Sequence, residues 1–168
     1  TIIAAFDSQR FYTLDNTHLI ITKSPEYAIK YLLALLNSKL FTNYYRLLSG
    51  EADRTFAQIR ISILEQLPIF PASSNMSTED SARYAEKGQR LYTQFCTKAD
   101  YACVLGFAAH HLAQGQSDVV HDLLAFLAGQ MIELNKQKQR EMQGFLAWLQ
   151  REIGASLDTF ANKSALYS

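Results

Sequence analysis

Arg54, Thr55, Gln58 and Arg60 fall within the string RTFAQIR, shortly after Gly50. Arginine and glutamine are the side chains that make paired hydrogen bonds to guanine and adenine edges in a DNA major groove. Along an extended ribbon, Phe56, Gln58 and Arg60 would share one face, and Ala57, Ile59 and Ile61 the other. Exposed strands also carry arginine and glutamine without any ligand, so the string alone leaves both readings open. Three further cations join the candidate set: Arg10 in a short polar connection, and Lys39 and Arg46 in the stretch LLALLNSKLFTNYYR. Lys39 and Arg46 could contact phosphate, and Tyr44 and Tyr45 could stack or serve as core tyrosines with a polar rim.

Other chemistries lack their residues. No glycine-rich strand-to-helix loop is present for a nucleotide, the seven glycines being scattered. The nearest approach to a metal-nuclease carboxylate-lysine string, Glu133 to Lys136, is one residue too long and lies in a helical pattern. His110, His111 and His121 with Cys103 suggest zinc, but two of the histidines are adjacent and no Cys-x-x-Cys accompanies them. They read as ordinary surface or half-buried histidines, as does His18 within a strand. The chain is expected to hold no catalytic site, metal or cofactor of its own. The string KQKQR at 136–140 could touch phosphate, although a solvated helix face is the simpler account.

The elements that would position these residues divide into two groups. Residues 2–7 and 11–22 are rich in Ile, Thr, Phe and Tyr, which predicts two strands joined through Ser8-Gln9-Arg10. Ser24-Pro25-Glu26 is a helix start, and apolar residues at 29, 32, 33, 36, 40, 44 and 47 continue one stripe to Gly50. That stripe predicts a helix exceeding about 20 residues. Asn37-Ser38 interrupts its centre, and short polar side chains there could hydrogen-bond to a neighbouring loop or strand and fix its position. Residues 55–63 alternate like a strand, 70–77 read as a linker, and 78–168 read as helices. The helical stripes cover 78–97, 100–113 and 117 onward, with a coiled-coil period and a candidate bend near Gly144. The expected fold class is therefore α+β: a small mixed strand and helix unit at 1–69, followed by an all-helical hairpin or bundle.

Composition bounds the function classes. The chain has 168 residues with 16 basic and 16 acidic side chains, so no overall basic field draws a polyanion. Residues 30–60 nevertheless hold five cations against Glu51 and Asp53. No apolar run is long enough to span a bilayer, and no membrane contact is expected. Cys96 and Cys103 suit a reduced, cytoplasmic protein. The opening TIIAAFDSQR reads as the middle of a strand, which predicts that the chain continues a longer polypeptide. Oligomeric state is left open.

The order of these pieces resembles a known family. LLALLNSKLFTNYYR, then a glycine, then TFAQIRISILEQLPI, is similar to the TaqI-like C-terminal specificity domain of type II and type IIG restriction–modification methyltransferases. The tail MIELNKQKQREMQGFLAWLQREIGASLDTFANKS resembles the helical segment that follows this domain in large single-chain enzymes. The resemblance implies that residues 1–69 form the C-terminal part of a target-recognition domain and that 78–168 form a helical spacer or docking region. It implies double-stranded DNA as partner, and an upstream methyltransferase domain of the same polypeptide. That domain would bind S-adenosylmethionine, methylate a flipped adenine, and sit in an enzyme that could also cut DNA. Arg10, Arg54, Thr55, Gln58 and Arg60 then form the expected DNA-facing set, with Lys39 and Arg46 as phosphate contacts. Two rivals remain. One is a helical docking or dimerisation module without DNA contact. The other is the specificity component of a phage-defence system.

Overall fold

The computed structural model describes residues 2–8, 12, 17–24, 26–50, 59–72 and 77–156. Six helices occupy them: α1 (Ile29–Leu36), α2 (Lys39–Ser49), α3 (Ile61–Leu64), α4 (Thr78–Lys98), α5 (Ala102–Ala113) and α6 (Ser117–Ile153). Two compact units divide the chain, residues 1–129 and 130–168, with the division inside α6.

The expected α+β class is overturned. Among the described residues 69% are helical and none lies in a strand. Residues 2–7 have no partner strand among the described residues, and residues 12 and 17–23 are likewise irregular, while 11 and 13–16 lie outside the described residues. In the last expected strand, residues 59–60 are irregular and 61–64 form α3, while 55–58 lie outside the described residues. Ile63 and Leu67, four apart, are the buried positions there, so a helical spacing orients this segment.

The expected single long helix is two. Asn37 closes α1 and Ser38 caps α2, its hydroxyl accepting the Phe41 N–H at 3.1 Å. The Asn37 amide meets the backbone of Ala4 from both sides. Its Oδ1 accepts the Ala4 N–H at 3.0 Å, and its Nδ2 donates to the Ala4 carbonyl at 2.9 Å. The same Nδ2 donates to the Leu33 carbonyl at 3.0 Å, which also accepts the Asn37 backbone N–H at 3.2 Å. One side chain thus supplies the donor and acceptor that a neighbouring strand would have offered. Held in this way, the N-terminal segment places Ile2 in the core with Leu36, Phe41, Tyr45, Ile63 and Leu67.

The break also changes which face of the second helix is buried. Phe41, Thr42 and Tyr45 turn inward, whereas Leu40, Tyr44 and Leu47, expected to continue the core stripe, are exposed. Gly50 ends α2 at φ 63°, a left-handed conformation that glycine adopts without a Cβ clash.

Within residues 77–129 a second core forms around Phe107, Val119 and Leu123, with Tyr84, Leu91, Val104, Ala108 and Leu127 packed against it. Ser77 caps α4 by accepting the Asp80 N–H at 3.1 Å, and Glu79 and Asp80 suit the positive end of its dipole. Buried Gly88 lets α6 approach closely, since a Cβ there would lie 3.3 Å from Leu123 Cδ1. His111 packs among Tyr84 and Phe107 and donates from Nδ1 to the Gln116 side chain at 2.6 Å. α6 runs unbroken through Gly144, where a bend was a candidate.

Two stability measurements check this account. Asn37→Ala is expected to cost about 1–2 kcal/mol in urea unfolding, the range for exposed but multiple hydrogen bonds. Asn37→Asp is expected to cost at least as much, because an acceptor would then face the Ala4 and Leu33 carbonyls. The second contrast concerns neighbouring apolar residues. Phe41→Ala should destabilise by about 3–5 kcal/mol, and Leu40→Ala by no more than about 0.5 kcal/mol. Equal losses at the two positions would contradict the inward turn of Phe41.

Candidate functional site

The candidate surface is the outer side of α2 with the start of α3. Positions 39, 43 and 46 follow steps of four and three, so Lys39, Asn43 and Arg46 line up along one edge of the helix. All three are exposed. Seven residues at the helical rise separate the two cations by about 10 Å along the axis. Beside this polar edge lie Leu47, Leu40 and Tyr44, so the outward face of α2 grades from cationic to apolar.

Burial of the opposite face fixes this orientation. Tyr45 is 6% exposed, yet its hydroxyl accepts the Arg60 backbone N–H at 2.8 Å. Through that bond α2 anchors the residue immediately before α3. Arg60 is exposed, and its backbone is tied to the side chain immediately before Arg46. His18 Nε2 donates to the Ile59 carbonyl at 2.7 Å, adding a second tie one residue earlier. The structure therefore associates Arg60 with the end of α2 and places Lys39 and Arg46 on one edge. Arg10, Arg54, Thr55 and Gln58 lie outside the described residues.

Asn43 is the residue that sequence reasoning passed over. Its signal, a polar position midway between two cations at helical spacing, was present. It was hidden because the apolar stripe had been carried straight through Asn37-Ser38. An open groove was also unforeseen; it is lined by Ile21, Lys23, Tyr27, Leu32, Glu65 and Ile69, among others.

A joint connects this region to the start of α6. The Tyr31 ring lies 4.4 Å, centroid to centroid, from the ring of buried His121. His121 Nδ1 donates to Asp122 at 2.9 Å, which leaves Nε2 to accept the Ala28 N–H at 3.4 Å ahead of α1. The Tyr31 hydroxyl donates to the Phe70 carbonyl at 3.1 Å, tying α1 to the chain that leads towards α4. Burial, and then neighbouring Tyr27, push the Tyr31 phenol above its ordinary value. His110 is exposed, and no group of three or more His, Cys, Asp or Glu suited to a metal occurs among the described residues. Nor is any helix among them long and apolar enough to cross a membrane.

Residues 1–69 match the family model of the TaqI-like C-terminal specificity domain. The match spans the Asn37 brace, both sides of α2, and α3, and it ends between α3 and α4. No curated protein and no solved structure is similar enough to the chain to match it.

The joint gives a pH-dependent expectation. Tyr31→Phe should cost about 1 kcal/mol at neutral pH through the lost hydrogen bond. A raised folded-state value means that the wild-type phenol supports folding fully below its unfolded value near 10, and loses that support as pH rises through the folded one. The stability gap between wild type and Tyr31→Phe should therefore narrow above about pH 10, measured by urea unfolding at a series of pH values. A gap that widens with pH would contradict the assigned sign.

Proposed function

We propose that this chain is the target-recognition part of a site-specific DNA methyltransferase of a restriction–modification system, and that residues 1–69 read duplex sequence. The family match over those residues carries the reading. Supporting it is the exposed edge of Lys39, Asn43 and Arg46, with Arg60 anchored beside the end of α2. On this reading Lys39 and Arg46 contact phosphate and set position. Arg10, Arg54, Thr55, Gln58 and Arg60 face the bases and set sequence. Methyl transfer to adenine belongs to an upstream domain of the same cytoplasmic polypeptide, which binds S-adenosylmethionine. This chain itself holds no cofactor and does not catalyse.

A second reading, docking without DNA contact, draws on the exposed Leu40, Tyr44 and Leu47 beside the cations. Those side chains would then pack on the methyltransferase domain, and the cations would form the rim of that contact.

Duplex binding by the parent enzyme over a range of salt concentrations separates the two. Under DNA recognition, Lys39→Ala and Arg46→Ala each weaken binding to all sequences and lower the salt slope by about one. Gln58→Ala and Arg60→Ala instead relax preference at single base pairs by about 1–3 kcal/mol. Should all four variants keep the wild-type salt slope and site preference, the DNA-reading assignment is wrong. Under docking, Leu40→Ala and Leu47→Ala release the segment from the methyltransferase domain while the salt slope stays unchanged.

A further inference from the structure

The C-terminal half of α6 carries a pattern that target recognition does not use. From Met131 onward, side chains recur at alternating steps of three and four: Met131, Leu134, Lys138, Glu141, Phe145 and Trp148. A mean step of 3.5 keeps them on one face of a helix that winds around a partner. Four of them are large, apolar and about half in water: Met131 is 58% exposed, Leu134 49%, Phe145 55% and Trp148 48%. The Phe145 and Trp148 rings lie 5.7 Å apart and form one end of the stripe.

At its centre the stripe is charged, and this interruption identifies what covers it. We propose that a second copy of this chain docks antiparallel on this face, with the two-fold axis passing between residues 139 and 140. A two-fold contact that sets residue i against residue j also sets j against i. In this register Met131 meets Trp148 of the second copy, Leu134 meets Phe145, and Lys138 meets Glu141. Apolar layers thus close on apolar layers at both ends, and the central pair is of opposite charge, made twice.

Other arrangements fail on the same residues. A parallel pair would set Lys138 against its own copy, and Glu141 against its own. An antiparallel pair slid by one heptad would set Lys138 against Trp148 and Glu141 against Phe145, covering both charges with apolar rings. The remaining charges nearby do not compete for the stripe. Glu133 and Lys136 lie off it and pair with each other at 2.8 Å. Arg140 also lies off the stripe. Gln137 Nε2 donates to Glu141 Oε1 at 2.7 Å, so this carboxylate is steadied within its own helix.

An overlap of about 27 Å, from residue 131 to 148, makes a small interface, and association should depend on concentration. The test is sedimentation equilibrium of the 168-residue chain over a concentration series. A monomer–dimer equilibrium is expected for the wild type. K138E and E141K each set like charges face to face twice per dimer, and each should weaken it tenfold or more. The double variant K138E/E141K restores opposite charges and should return the constant close to that of the wild type. These positions are exposed, so helical circular dichroism should be unchanged in all three variants. A chain that stays monomeric throughout the series would overturn the proposal. So would single variants that dimerise as well as wild type, or a double variant as weak as the singles.

Discussion

A single carboxamide organises the N-terminal half of this molecule. Asn37 offers one donor and one acceptor to a backbone that needs both, and it meets the Ala4 N–H and carbonyl at 3.0 and 2.9 Å. A hydroxyl would have to donate and accept through a single oxygen, whereas the amide does so through two separate atoms, and a carboxylate would face a carbonyl with a second acceptor. α1 stops at Asn37, and Ser38, extended at φ −72° and ψ 149°, restarts the chain as a cap. The restart sets the phase of α2. Phe41 and Tyr45 then join Ile2 and Leu36 in the core, and the Tyr45 hydroxyl reaches the backbone of Arg60. Remove the amide and the chain of dependence is cut at its first link.

How much of this could be read from the residues depended on the range of each signal. Asn37-Ser38 announced a brace, since short polar side chains in an apolar helix must find partners. Its consequence for phase was not legible. Apolar spacing at 36, 40, 44 and 47 fits one uninterrupted helix as well as it fits two. The strand reading failed for a different reason. Ile, Thr, Phe and Tyr favour strands because they fit a half-buried pleated surface, and that surface requires partners. At residues 2–7 the described partner is a side-chain amide, and at 61–64 burial follows a step of four. IRISI is too short for its alternation to be told from one turn of helix with Ile63 inward.

Long-range ties were illegible in principle. Tyr31 and His121 are ninety residues apart, and neither type announces the other. Each nevertheless has the polar handle that a buried aromatic contact needs: the phenol donates to Phe70, and the imidazole uses both nitrogens. The result is that the family-matched segment and the start of α6 share one compact unit. The helices after residue 77 were more legible, because their stripes are long and their ends carry Ser77, Gly115 and Gly154.

Zero net charge looks at first like an argument against a DNA-reading role. It concerns the average over the chain, however, whereas phosphate contact depends on where cations stand. Lys39 and Arg46 share an edge whose opposite side is anchored by Phe41 and Tyr45, so their backbone positions are fixed before any ligand arrives. Fixed cations lose less freedom on binding than cations on a mobile segment. Two such contacts release few counterions and leave non-specific affinity low. On the proposed reading, that suits a reader attached to a larger enzyme: the holding force comes from elsewhere in the polypeptide. This segment can then spend its few contacts on register and base identity.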